Sequence, residues 1–211
     1  RVLFRSAKTP VRAGQTEPQP VEYSSFVGLM IRRRTVETIG LPEAGFFIWG
    51  DDVEYSLRLS AVGSIYLVPQ SVVVHHNEFA QERAQARSGP MGWRNRPLDQ
   101  FWRKYYELRN PLLILHQHVD SSAKRAIGYG GAACRALRAA GAVLAVDDAK
   151  AVRLHVIIAA FWHGLQGLTG SYIDPRDFPE RMHPDALVSL ASTWNRETEH
   201  RPVSDQAEAS G

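Results

Sequence analysis

Cysteine is nearly absent from this chain. Cys134 stands alone among 211 residues, so no internal disulfide can form, and one unpaired thiol fits a reducing, cytoplasmic setting. Lysine is scarce beside arginine, four against twenty-one, yet the net charge is only +3, too mild a surplus to require nucleic acid. Long apolar runs are missing: Ala139–Val146 and Val156–Trp162 are the longest candidates, and both fall short of the roughly 18 residues a membrane-spanning helix needs. The first residues have no apolar stretch of the kind a secretory signal carries. Residues 1–20 contain no aspartate, and there is no internal repeat. The chain opens on Arg1 rather than methionine. Arg1-Val2-Leu3-Phe4-Arg5-Ser6 reads as a translated sequencing-adapter end, so these residues are set aside and the chain is expected to be the C-terminal part of a longer protein.

What is present suits a soluble globular domain with a real core, at 44% hydrophobic and 22% charged residues. The most informative stretch is Phe46-Phe47-Ile48-Trp49-Gly50-Asp51-Asp52-Val53-Glu54-Tyr55-Ser56-Leu57-Arg58. An aromatic run delivers two adjacent acids, then a third, then an arginine one turn further on. Burial raises a carboxylate pKa, while cations and helix N-termini lower it, so two acids beside an aromatic wall are tuned against each other. A general base near neutral pH arises this way. Helix capping is the ordinary alternative for such acids.

Along the chain, residues 1–20 read as an irregular loop, and Val21–Ile31 reads as an extended apolar segment with Gly28 inside it. Arg32–Arg34 opens a short helix that Gly40 stops. Asp51–Val62 fits a helix closed by Gly63, although Val53, Tyr55, Leu57 and Leu59 also alternate as a strand would. Ile65–Val68 and Ser71–His75 read as strands around a Pro69-Gln70 turn, and 78–97 reads as a polar, arginine-rich loop. Leu98–His118, Ser121–Ala140 and Ala149–Leu168 read as helices, the last closed by Gly167 and Gly170, and the end of the chain reads as a polar, disordered tail.

The order of Gly28, Ile39-Gly40-Leu41-Pro42, the acidic run, Gly63, Val68-Pro69, His75-His76 and Tyr105-Tyr106-x-Leu108-Arg109-Asn110 resembles the second half of a family 2 glycosyltransferase of the GT-A fold. Within that family it is most similar to galactofuranosyl- and rhamnosyltransferases, and the resemblance covers roughly residues 20–115. It implies an α/β fold: a mixed sheet with flanking helices over 21–118 forming the acceptor side of the catalytic domain, a helical region over 119–183, and a tail over 184–211. It implies an inverting transfer of a hexose, such as galactofuranose or rhamnose, from a nucleotide-diphosphate sugar to a glycan or lipid-linked glycan of the cell envelope. Asp52 would be the general base and Asp51 would orient substrate. Trp49, Gly28, Glu54 and Arg109 would line or buttress the substrate site, and His75 would ligate a divalent cation, Mn2+ or Mg2+. The family's Asp-x-Asp metal motif precedes the segment present here, so the chain alone is expected to be inactive.

Each residue also has a plainer reading. Trp49 could be core, Gly28 a buried strand position, Arg109-Asn110 a structural cap, and His75 a strand-end histidine. Two rival functions follow from the same residues. Gly50-Asp51-Asp52 resembles the catalytic hairpin of RNA-dependent polymerases, which requires strands on both sides of it. The cations of 121–168 fit a membrane-surface or scaffold module, or peripheral membrane contact by a transferase at the inner face of the cell membrane.

Overall fold

Apolar residues at helical spacing dominate the second half of the chain, and helices carry most of the buried surface there. The computed structural model describes residues 16–74 and 97–178. In chain order these hold β1 (Gln19–Val21), α1 (Arg33–Ile39), α2 (Asp51–Val62), β2 (Ile65–Leu67), α3 (Trp102–His118), α4 (Ser122–Val146) and α5 (Lys150–Leu165). The described residues are thus mostly helical, with one small sheet.

That sheet is two-stranded and antiparallel, pairing Gln19 with Leu67, Pro20 with Tyr66 and Val21 with Ile65. The extended segment expected over Val21–Ile31 is shorter than its composition suggests. Pairing stops at Val21, and Gly28 sits at φ +76° in a turn where the Leu29 N–H donates to the Phe26 carbonyl at 3.3 Å. Glycine takes positive φ without the Cβ clash other residues meet, so it turns the chain where an alternating strand would run straight. The strand expected from Ser71 is not formed over 71–74 either. The Ser71 N–H closes a turn on Val68 O at 3.1 Å, and the valines beyond it are exposed. Their β-branched side chains favour extended backbone, but a strand also needs a hydrogen-bonding neighbour, and none is present among the described residues.

The helix boundaries follow the glycines. α1 ends at Gly40 (φ +79°), whose N–H returns to Val36 O, and α2 ends at Gly63, whose N–H returns to Leu59 O. α4 runs six residues past the expected Ala140, straight through Gly141. A lone helical glycine costs only about 1 kcal/mol against alanine, and burial of Val143 two residues on outweighs it.

α3 is the spine of the molecule. Tyr105, Tyr106 and Leu108 bury against Ala136 and Val143 of α4, Val156, Ile157 and Ala160 of α5, and Ile173 and Phe178 beyond it. This core draws on both sides of residue 118. Two glycines let the helices approach. A Cβ on Gly164 would lie 2.5 Å from Leu112 Cδ1, and one on Gly128 would lie 2.6 Å from Leu115 Cδ1. On its other side α3 buries Leu113 and Ile114 with Phe46, and Val53 and Leu57 of α2 pack against them. α3 therefore carries the helical region on one face and the acidic helix on the other.

Candidate functional site

The approach to the acids is a strained loop. Ala44–Phe46 forms a single 3-10 turn. The Ile48 N–H then donates back to Phe46 O at 2.8 Å, closing a γ-turn centred on Phe47 at φ +63°, ψ −59°. Such turns with positive φ are rare and strained. Trp49 follows at φ +70° and Gly50 at φ +85°. Residues other than glycine held in such regions cost on the order of 1–3 kcal/mol each and persist only where their surroundings over-determine them.

Two neighbours on α3 supply that constraint. The Asn110 amide donates to Phe46 O (2.9 Å), Ile48 O (2.8 Å) and Trp49 O (2.6 Å). Its Oδ1 accepts from Arg109 Nε at 2.8 Å, which fixes which way the amide faces. The fully buried Arg109 guanidinium also donates to Gly170 O (2.5 Å), Gly45 O (2.8 Å) and Phe46 O (3.2 Å), beneath the rings of Tyr105 and Tyr106. Among the described residues no carboxylate lies in ion-pair range of Arg109; carbonyl dipoles and aromatic faces hold its charge. Gly170 closes the arrangement by donating its own N–H to Gly45 O at 2.7 Å.

The loop delivers Asp51 and Asp52 as the first two residues of α2, with Gly50 as the N-cap, so neither acid is the capping residue. Both are half-buried. Asp52 Oδ1 accepts the Val53 N–H at 2.8 Å. Burial pushes the Asp52 carboxyl above its ordinary value and the Asp51 charge pushes the same way, while the Val53 N–H and the Ser25 hydroxyl pull part of the way back. Trp49, 43% exposed, stands beside the two acids at the mouth of the loop.

Glu54 faces inward. Arg58 grips it with Nε and Nη2 at 2.7 and 2.8 Å, and His118 Nε2 lies 3.1 Å from Oε1. Burial raises its pKa, but the His118 and Arg58 contacts outweigh that and leave it lowered. Arg58 continues to the carbonyls of Ile39 and Leu41 and lies over the Tyr55 ring, tying α1 to α2. The Ser56 hydroxyl accepts from Ser24 N–H and donates to Ser24 O, which pins the segment carrying Ser25 against α2.

The structure brings Asp51, Asp52 and Trp49 together on one short stretch. Glu54, expected to line or buttress the site, and Arg109, left open between a substrate contact and a structural cap, are both turned into the framework, their polar atoms taken up by Arg58, His118, Asn110 and main-chain carbonyls. Gly28 lies in its turn against the Val73 side chain, where a Cβ would meet Val73 Cγ2 at 3.1 Å. His75 lies outside the described residues. Among the described residues no three His, Cys, Asp or Glu side chains gather to hold a metal ion. Gly50-Asp51-Asp52 opens a helix, so the hairpin that the polymerase reading requires is not formed. Sequence reasoning left Arg109-Asn110 open between a contact to the diphosphate or its loop and a structural cap, without placing Asn110 on the loop before the acids, and it missed Ser25 and His118. The signal for Asn110 was available: a glycine-led acidic turn needs side-chain donors for its carbonyls.

No family model matches the chain, and no solved structure matches it. Over 108 residues it is 27% identical to the galactofuranosyltransferase GlfT2 of Mycobacterium tuberculosis, a match covering 51% of this chain and 15% of that protein. The chain is thus a distant, partial relative of a glycosyltransferase, spanning about 15% of the relative's length. Among the described residues no helix is long and apolar enough to cross a membrane.

Proposed function

We propose that this chain supplies the acceptor side of a hexosyltransferase site of the galactofuranosyl- or rhamnosyltransferase kind, set in a GT-A frame. Asp52 serves as the general base in this reading, with Asp51 beside it orienting a sugar hydroxyl. The supporting observation is the acid pair itself: two carboxylates held at the head of α2 by a strained loop, with Asp52 raised by burial and by its neighbour. A sugar hydroxyl is a poor nucleophile. It attacks the donor's anomeric carbon as its proton passes to Asp52, and the bond to the diphosphate breaks with its electron pair leaving on the diphosphate. Attack from the opposite face inverts the anomeric centre. A carboxylate with a raised pKa is a better proton acceptor than an ordinary surface acid. The exposed Trp49 ring offers an apolar face to the C–H side of the acceptor sugar.

The donor in this reading is a nucleotide-diphosphate sugar, and the acceptor is a glycan or lipid-linked glycan. A divalent cation would neutralise the departing diphosphate, with His75 its expected ligand. The deciding experiment is Asp52→Asn in the complete gene product, assayed for transfer and, separately, for donor binding. Turnover is expected to fall by about 10²–10⁴ with donor affinity kept, the range that loss of a positioned base produces. Undiminished turnover would remove Asp52 from the reaction.

A further inference from the structure

We infer that Asn110 is the positioning residue of the acid pair: its single carboxamide, oriented by Arg109, holds the Phe46–Gly50 loop in its strained form and so sets where Asp51 and Asp52 stand. The inference rests on the reading of Asp52 as base for its catalytic meaning, but not for its geometry.

Three observations meet at this residue. The first is strain. Phe47 and Trp49 both occupy positive φ, where side chains other than glycine are disfavoured, and they flank a single residue. Such a segment relaxes unless it is held. The second is the hold itself. The fully buried Asn110 amide reaches three carbonyls of the same loop, Phe46, Ile48 and Trp49. It has two N–H groups for three acceptors, so at least one proton is shared, and no apolar or acidic replacement reproduces the pattern. The third is direction. The Trp49 carbonyl belongs to the peptide just before Gly50, and the Gly50 carbonyl accepts the first hydrogen bond of α2, from Glu54 N–H at 2.9 Å. Whatever fixes Trp49 O therefore fixes the entry angle of the helix whose first two residues are the acids. Gly50 is called for by its backbone rather than by space: a Cβ there would find ordinary contact with Asn110 Cβ at 3.6 Å, but φ +85° disfavours one.

The arrangement also explains why a buried, uncharged amide sits one residue from a buried arginine. Arg109 Nε occupies Asn110 Oδ1, so the amide can present only its N–H side to the loop. An acid at 110 would turn oxygens toward three carbonyls, and a leucine would leave all three without this donor. The Asp52 carboxylate is faced by Asp51 on its own helix, by the Val53 N–H and by the Ser25 hydroxyl. None of these is Asn110, which acts on Asp52 only through the backbone.

The test compares Asn110→Ala, Phe47→Gly and the double variant in the full chain, by NMR titration of the Asp52 carboxyl and by the Val53 amide resonance. Glycine at 47 removes the penalty of positive φ at one of the two strained positions and leaves that of Trp49, so the loop depends less on the clamp. With Asn110→Ala, the Asp52 titration is expected to move back toward an ordinary aspartate and the Val53 amide to shift, while the circular dichroism of the helices is kept. The double variant is expected to recover part of both signals. A general loss of stability would not be rescued by adding a glycine. An Asp52 titration that is unchanged in folded Asn110→Ala, or a double variant no closer to wild type than the single, would overturn the proposal. If Asn110→Ala does not fold, Asn110→Ser, which keeps one donor, takes its place under the same criteria. Failure of the catalytic reading is separable: there, Asp52→Asn keeps full transfer while the Asn110→Ala titration shift persists.

Discussion

Replacing Arg109 by lysine keeps its charge and much of its length, and removes only the fork. In the folded chain the guanidinium makes four hydrogen bonds in three directions: to Asn110 Oδ1, to Gly170 O, and to the Gly45 and Phe46 carbonyls. An ammonium group is a single point. It can sit between Gly45 O and Gly170 O, which lie close because Gly170 N–H bonds to Gly45 O, but it then abandons Asn110 Oδ1 and Phe46 O. Hydrogen bonds to charged groups contribute roughly 1.5–3 kcal/mol each, so losing two costs about 3–6 kcal/mol. That is a large share of the roughly 5–15 kcal/mol that keeps a domain folded. At about 2–4 °C per kcal/mol for a domain of this size, Arg109→Lys should lower the melting temperature by about 6–24 °C. Thermal unfolding followed by circular dichroism reads this directly, with Arg103→Lys, a half-buried arginine on the same helix that meets the Gln100 side chain and the Trp102 ring, as a comparison. A variant within about 1 kcal/mol of wild type would mean that charge alone, and not planar geometry, holds the loop, and the account of the clamp would fall with it.

Other outcomes follow from the packing and the buried titrating groups. Gly164→Ala should destabilise by about 1–3 kcal/mol or more, since its methyl would press on Leu112 and on the Arg109 carbonyl, whereas Gly141→Ala, with nothing near its Cβ, should stabilise by up to about 1 kcal/mol; chemical denaturation of the pair checks both signs. His163 is buried against Tyr105, and burial, with the Arg109 charge, lowers its pKa from 6.5 to about 4. The unfolded chain therefore binds a proton that the folded chain refuses between those values, so this contribution is complete above about pH 6.5 and is lost as pH falls toward 4. Stability measured across that window should fall with acid, and His163→Gln should flatten the fall; an unchanged slope would mean the histidine is not held neutral. Glu54→Gln should weaken the grip of Arg58 and His118 and lower stability most above the ordinary carboxylate range, because the lowered pKa of Glu54 contributes only while it is ionised.

The helices were legible because their signals are local. Gly40, Gly63 and Gly167 end helices or close the turn after them, and the aromatic and leucine spacing of α3 announces a buried helix. The choice of helix over strand for Asp51–Val62 followed from acids in the first turn and glycine at the end. What the sequence hid is non-local. The valines near 72–74 have strand composition, but forming a strand depends on a neighbour that no local pattern reveals. Arg109 has the same one-letter identity whether it meets a phosphate or a carbonyl. Its burial is decided by Gly45 and Gly170, more than sixty residues away on either side. The positive φ values at Phe47 and Trp49 were invisible for a related reason: such conformations are imposed by distant partners against local preference.

Tyr105, Tyr106, Arg109 and Asn110 follow one another along little more than a turn and a half of α3, yet they serve two ends of the molecule. The first two bond to His163 and to Ile173 O, and the latter two to the loop before the acids. Opening of the acidic loop and loosening of the helical bundle should therefore be one event rather than two. In hydrogen exchange, the irregular stretch 46–50 should share the slow protection of the bundle core instead of exchanging like a surface loop. A chain cut after His118 would keep every acid of the site and lose the Gly170 carbonyl that anchors Arg109, leaving the right residues with nothing to hold them in place.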